Sequence, residues 1–458
     1  MGVNVDVQPG WPDSRLGNVQ VFEQALDSAR SLGVADVEVI VAHHDEALTR
    51  FANNAIHQNV AERAGYASVR AVIDRRTARA STNRLTRDSI RLAVEQAVAL
   101  ARASEPDPEL PPLLDRSAHL GVERWFESTA QTTPQDRAQA VAAAIGVVEG
   151  AGQTAAGIYS TGESMFSLFN SRGVIALHRE SLARFSITAM AAESSGWAKA
   201  SSCDCRALDP VALATRAAQK AALSQAPREI PPGRYTVILE PAAVLDLVGQ
   251  MFGDFSATAL RDGRSFLNDR VGKKIFGANI TIHDDVLHPL QSGAPFDGEG
   301  VPRRQLTLVE KGVVREIAYC RAAAAASAVE PTGHGFPLPN EYGEAPMNIV
   351  VAGGDTTVDG MVASTARGVL VTRLWYIREV DPYEKIFTGM TRDGTFLVEN
   401  GEVVAGLRNF RFNQGLVEML SHVEAMSPPV RASGEETFDM VVPAMKVSDF
   451  NFTEVTRF

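Results

Sequence analysis

Apolar residues between Val19 and Leu32 recur with helical spacing: Val21, Phe22, Ala25, Leu26, Ala29 and Leu32, with Gly33 as the stop. The period then changes to that of strands. Val37–Val41 reads as a buried strand, and Ala47–Asn53, Ile56–Ala61, Ala67–Ile73 and Thr77–Thr82 alternate apolar and polar positions. Thr86-Arg87-Asp88 caps a helix predicted over Ser89–Ala103. More helices and strands follow, without a fixed-period repeat. Thr133-Pro134 opens a helix to Glu149, four strands follow (Ala155–Ser160, Ser164–Asn170, Val174–Glu180, Ala183–Ala192), and Asp209-Pro210 starts a helix through Leu223.

Two proline-rich stretches punctuate the chain, Glu105–Pro112 and Pro227–Gly233, where proline breaks helices and keeps the backbone extended. They divide it into an N-terminal domain (1–112), a middle domain (113–230) and a C-terminal domain (231–458). The last opens with a strand, Tyr235–Leu239, and a helical stretch, Val244–Phe252. Short strands and glycine turns then dominate, with brief helices at Arg321–Val329 and Thr357–Thr365. Within it, Phe396–Val398 and Val403–Leu407 flank Asn400-Gly401, a hairpin signal because both turn residues accept positive φ. Strand runs beside segregated helices predict an α+β fold: N-terminal α/β-sandwich-like domains with antiparallel sheet, then a large β-rich C-terminal domain.

Composition narrows the function. The formal net charge is −11, and the basic clusters Arg75–Arg79 and Lys273-Lys274 are short, so direct nucleic-acid binding is not expected. Three cysteines argue against a disulfide framework. No signal-peptide pattern opens the chain and no apolar run approaches ~20 residues, so a cytoplasmic protein without a membrane span is expected.

The segment Arg373–Gln414 carries more. RLWYIREVDPYEKIFTGMTRDGTFLVENGEVVAGLRNFRFNQ resembles the C-terminal domain of the TldD/PmbA family, whose members form two-subunit zinc peptidases and were once described as modulators of DNA gyrase. Arg50–Gln58, Ser265–Lys274, Asp284-Asp285, Phe296–Gly300 and Pro331–Gly333 extend the resemblance over most of the chain. In the family's active subunit, a helix bearing H-E-x-x-x-H and a cysteine near the C-terminus hold zinc. Two imidazoles and a thiolate leave one position for a water that the metal acidifies. The resemblance places that helix after Tyr235–Leu239. Here the segment Pro241–Phe255 contains neither histidine nor glutamate, no histidine falls between Arg179 and Ile282, and no cysteine follows Cys320. This departure resembles the PmbA/TldE branch.

The resemblance therefore implies a metal-free subunit without catalytic residues or a metal of its own. It also implies a TldD-like partner carrying the zinc, and an unfolded or precursor peptide as substrate. Candidate substrate-lining residues are His334, Trp375, Tyr376, Thr388, Arg392, Phe396 and Asn413. Two other readings stand beside it. One is a homodimeric peptide-binding or scaffold protein. The other is an independent hydrolase built on His283, Asp285 and His288, although Asp284-Asp285 fits a turn held by backbone amides better than a metal site. Cys203 and Cys205, at i and i+2, would share one face of a strand, a weak zinc signal without a second pair. Asp297 and Glu299 are paired carboxylates that a glycine-rich turn explains equally well. Nucleophile-elbow, Walker A and dinucleotide-binding patterns are absent.

Overall fold

The computed structural model describes residues 14–119 and 121–456. The opening residues 1–13, part of the stretch read for a signal peptide, lie outside this range. The N-terminal half follows the order α1 (Ser14–Ser31), β1 (Asp36–Ala52), β2 (Ala55–Ile73), β3 (Arg76–Thr82), α2 (Arg87–Ala103), α3 (Glu127–Ala130), α4 (Pro134–Gly150), β4 (Thr154–Asn170), β5 (Ile175–Met190), β6 (Ser195–Ser202) and α5 (Pro210–Leu223). The expected caps are present. Thr86 Oγ1 accepts from the Ser89 N–H, Thr133 and Asp136 form a reciprocal capping box ahead of Pro134, and Asp209 caps α5.

The strands are longer than the sequence pattern suggested. Val37–Val41 and Ala47–Asn53 fall on the single strand β1, and Ile56–Ala61 and Ala67–Ile73 on β2. The two strand pairs read after α4 likewise merge into β4 and β5. The polar run His43–Glu46 does not break the ladder, because β1 is central and pairs with β2 and β4 along nearly its whole length. Asn53 and Asn54, at φ 51° and 58°, make the tight β1–β2 turn.

These strands form one antiparallel sheet, β3-β2-β1-β4-β5-β6, that runs across the proline-rich linker. The division drawn at residue 112 thus falls between two halves of a shared sheet. Helices cover one face. Alpha-1 and α2 bury Val37, Val39, Val41, Val69 and Phe169, while α4 and α5 bury Phe51, Tyr159, Phe185 and Ile187.

The C-terminal half contains β7 (Gly233–Leu239), α6 (Pro241–Val248), α7 (Ala257–Arg261), β8 (Ile282–Asp284), β9 (Leu306–Glu310), β10 (Val313–Val314), α8 (Arg321–Ser327), β11 (Ile349–Val351), α9 (Val358–Ala363), β12 (Arg367–Asp381), β13 (Ile386–Glu399), β14 (Glu402–Gly406), β15 (Phe410–Gly415), α10 (Leu416–Ser421), β16 (Val423–Met426), β17 (Val430–Ala432), β18 (Met440–Val442) and β19 (Met445–Val455). One sheet has the order β10-β9-β8-β11-β18-β17. The other, β12-β7-β19-β15-β13-β14, curls into a barrel-like closure because β12 also pairs with β13. Asn400 and Gly401 have φ of 52° and 83°, as the hairpin signal required. The fold is α+β, with an antiparallel N-terminal sheet and a β-rich C-terminal domain.

The uncovered face of the N-terminal sheet packs on the C-terminal half. Ile40, Leu168, Val174 and Ala176 surround Phe296. Beside them runs a buried row of charge. Glu38, Arg70 and Arg79 lie opposite one another on β1, β2 and β3. The Glu38 carboxylate accepts from Arg70 Nη2 at 2.9 Å and from Arg79 Nη2 at 2.6 Å, and Arg79 Nε donates to the Leu338 carbonyl. Across the seam, Glu299 Oε1 accepts from the Arg321 N–H at 3.0 Å.

Candidate functional site

Alpha-6 begins at Pro241, as proline at the first helical position favours, and is apolar except for Asp246. That carboxylate is completely buried. Its Oδ1 accepts from the N–H groups of Glu435 and Glu436 at 3.1 and 3.0 Å, clasping α6 to the loop between β17 and β18. Thr437 Oγ1 adds a bond to the Leu245 carbonyl. Burial pushes the Asp246 pKa up to about 6, with the Glu436 charge adding to the rise and the amide bonds opposing it. Its Oδ2 has no partner among the described residues.

The contact is close enough to require glycine at 434. A Cβ there would come within 2.1 Å of Asp246 Oδ1. Gly434→Ala is therefore expected to force the clasp open and lower stability by about 1–3 kcal/mol. Urea unfolding checks this, and an unchanged midpoint would show that the loop is not held this way.

Two further elements converge on the clasp. From β6, Lys199 Nζ donates to the Gly434 carbonyl at 2.5 Å and meets Glu435 at 3.1 Å. Ser195 Oγ donates to Asp393 Oδ1 at 2.6 Å. From the β12–β13 pair, Arg373 donates to Asp393 through Nε and Nη2, and its guanidinium lies 4.8 Å from the Trp197 ring and 5.3 Å from the Trp375 ring. Arg392 approaches the Trp375 ring at 4.9 Å. The Tyr376 N–H donates to Glu436 Oε1 at 2.7 Å, and Arg378 lies 4.4 Å from the Tyr376 ring.

The β12 register shifts on both sides of Trp375, and Tyr376 is held at φ 56°. A positive φ is costly for a bulky aromatic residue and is maintained only where surrounding contacts impose it. A cleft of about 360 Å³ adjoins the cluster, lined by Glu193, Ser195, Asp393, Gly394 and Asn409. A wider one, about 740 Å³, lies on the middle segment against α3 and α4 and contacts none of these groups.

The structure brings three of the seven sequence-derived candidates together: Trp375, Tyr376 and Arg392. Thr388 on β13 pairs with Arg378 of this cluster on one side and with Asn413 on β15 on the other, and its Oγ1 donates to the Phe412 carbonyl. Phe396 is 1% exposed, packed with Ile238, Met361 and Leu370, so it lines no surface. His334 is 1% exposed, with Nε2 3.1 Å from Asp284 Oδ1 and Nδ1 3.0 Å from Thr332 Oγ1, and likewise presents nothing to solvent.

The remaining constellations resolve into structural roles. Asp284, at the end of β8, accepts from the distant Met347 and Asn348 N–H groups, while Asp285 accepts from Leu287 and His288 from Leu290 within local turns. Beta-6 ends at Ser202 and Cys205 begins a separate helical turn, so the two thiols do not share a strand face. Asp297 accepts from Glu299, Val301 and Gly335 N–H groups, which makes it a turn residue.

Sequence reasoning missed Trp197, Lys199, Asp246, Asp393 and the Glu435-Glu436 pair. Two signals were present: Trp197-Ala198-Lys199 alternates like a strand, and Asp246 is a lone carboxylate in the apolar run Pro241–Val248. The donors where α6 meets the loop are one carboxylate already taken by two amides and two glutamates engaged by Lys199 and by the Tyr376 N–H. With no imidazole or thiolate among them, this set does not fit zinc.

Family models match two parts of the chain: the PmbA/TldA metallopeptidase domain 1 over residues 37–101, and the PmbA/TldA metallopeptidase C-terminal domain over 232–454. Curated relatives include a metalloprotease from Methanothermobacter thermautotrophicus, 24% identical over 44% of this chain and 44% of its own length. Metalloprotease PmbA of Escherichia coli O157:H7 is 23% identical over 48% of this chain and 47% of its own. The chain thus matches less than half the length of these relatives. Among solved structures, TldE from Thermococcus kodakarensis superposes with a TM-score of 0.85 at 20% identity, covering 94% of this chain and 100% of its own. A Thermotoga maritima protein described as a modulator of a DNA gyrase gives 0.84 at 20% identity, covering 95% and 100%. At that identity the structural likeness establishes the fold. With models matching both ends and more than half the residues between them, the chain belongs to the PmbA/TldD family.

Proposed function

We propose that this chain is the metal-free, non-catalytic subunit of a heteromeric TldD-type zinc peptidase that cleaves unfolded or precursor peptides. The observation that carries this reading is the Asp246 clasp. Alpha-6 and the β17–β18 loop are the segments where the resemblance would place the zinc-binding helix and cysteine, and here they are joined by a carboxylate and two backbone amides. A hydrolytic zinc site needs nitrogen or sulfur donors and an open position for water, and this junction supplies neither.

In this reading the partner holds the zinc on an H-E-x-x-x-H helix and supplies the attacking water. This chain contributes walls, with Trp375, Tyr376, Arg378 and Arg392 as peptide-facing groups; aromatic and guanidinium surfaces engage peptides without demanding one sequence. No described helix is long and apolar enough to cross a membrane.

The test is to co-express the chain with an H-E-x-x-x-H-bearing family member and assay unfolded peptides. The pair is expected to cleave, while each chain alone is inactive or much weaker. Stoichiometric zinc and turnover by this chain alone would overturn the reading, as would a partner equally active without it.

A further inference from the structure

The cleft of about 740 Å³ on the middle segment lies where α3, α4 and β4 meet. Phe126 and Glu127 open α3, Asp136 and Ala140 come from the first half of α4, and Tyr159 rises from β4. The walls are tied together. Thr129 Oγ1 donates to the Cys203 carbonyl at 2.8 Å and accepts from the Cys205 N–H at 2.7 Å, and Asp204 bridges Ser128 Oγ and the Arg206 guanidinium. The space is therefore formed before anything enters it, and its size suits a small organic molecule.

Tyr159 forms the inner end, 5% exposed and edge-on to Phe185 at 5.6 Å. Its hydroxyl has no hydrogen-bond partner among the described residues, although a buried tyrosine ordinarily has one. Burial, then the neighbouring Cys205, pushes its pKa up to about 12, so the hydroxyl keeps its proton and can donate at neutral pH. Phe126 and Ala140 supply apolar wall.

The exposed rim has the opposite need. Glu127 Oε1 accepts from Gln131 Nε2 and Asp136 Oδ2 accepts from Thr133, which leaves Glu127 Oε2 and Asp136 Oδ1 without donors among the described residues. The Arg206 charge is matched by Asp204, and Arg137 is buried outside the lining, donating to the Thr132 carbonyl and to Thr161 Oγ1.

We propose that this cleft binds a small aralkylamine, with its ammonium at Glu127 and Asp136, its ring against Phe126 and Ala140, and an oxygen at the far end accepting from the Tyr159 hydroxyl. Two free carboxylate oxygens, an apolar wall and one unpartnered donor call for those three parts in that order. The site contains none of the residues at the α6 junction, and the inference does not depend on the proposed function.

Tyramine is the probe, titrated into the full-length chain and followed by saturation-transfer NMR. Saturable binding is expected. Hydroxyphenylpropanoate, which replaces the ammonium with a carboxylate, should bind far more weakly. Tyr159→Phe should weaken tyramine about fivefold, the worth of one neutral hydrogen bond, and leave phenethylamine, which lacks the far oxygen, unchanged. Glu127→Gln with Asp136→Asn keeps the acceptors used by Gln131 and Thr133, and should bring tyramine down towards its neutral alcohol analogue, tyrosol. Ala140→Phe fills the cleft and should abolish binding with unchanged circular dichroism.

No saturable tyramine binding, equal affinity for the amine and the carboxylate, a Tyr159→Phe loss shared by phenethylamine, or binding that survives Ala140→Phe would overturn the proposal. The Tyr159 comparison removes a single oxygen, so it decides the matter where the bulkier Ala140→Phe disturbs the fold.

Discussion

Replacing Glu38 with alanine is expected to destabilise the protein by about 3–5 kcal/mol, enough to unfold a marginal variant at ambient temperature. Glu38 and Arg70 are each 1% exposed, and Arg70 Nε and Nη1 already lack partners. The Glu38 carboxylate is the anion that touches Arg70 and Arg79 directly. Removing it leaves a buried guanidinium with no contacting counter-charge, which costs more than the pair contributes relative to apolar residues. Glu38→Leu with Arg70→Met and Arg79→Met leaves neither guanidinium behind and should consequently lie much closer to wild type than Glu38→Ala alone. Equilibrium urea unfolding decides the matter. Equal losses in the single and triple variants would show that the cost is packing rather than uncompensated charge.

Glu299 is expected to make stability fall as pH rises. Burial, then the neighbouring Asp297 charge, pushes its pKa up to about 7, from an ordinary value of 4.5. The folded state therefore retains a proton that the unfolded chain releases between those values. Stability is greatest below the window and is lost as pH climbs through it, in total on the order of 3 kcal/mol. Glu299→Gln keeps an acceptor for the Arg321 N–H and cannot ionise. It should be more stable than wild type at pH 8 and close to it at pH 4.5. Urea midpoints at both values measure the difference. A parallel pH dependence in wild type and variant would remove Glu299 as its source.

Much of the fold was legible because its signals are local. Caps at Thr86, Thr133 and Asp209, and the Asn400-Gly401 turn, act over a few residues and survive any tertiary context. Strand length was not legible. Residues such as His43–Glu46 stay in register because β2 and β4 hold them from both sides, a cause lying far along the chain. The candidate site divided the same way. Trp375, Tyr376 and Arg392 lie close in sequence, and a bulged strand pair keeps them together. Asp246, Trp197 and Glu436 meet only through the packing of α6, β6 and the β17–β18 loop. His334 and Phe396 were drawn inward because burial is decided by layers that local spacing does not specify.

The topology also sets a timetable for synthesis. Beta-7 is made early in its half, yet its neighbours are β12, which begins at Arg367, and β19, which begins at Met445. While the chain emerges from the ribosome, Val237, Ile238 and Leu239, all fully buried at the end, keep one edge unpaired until β12 appears and the other until β19 does. Long-range strand pairing is slow and exposes apolar edges meanwhile. The nascent C-terminal half is thus a natural client for chaperones, and its barrel-like sheet can close only after β19 has been made.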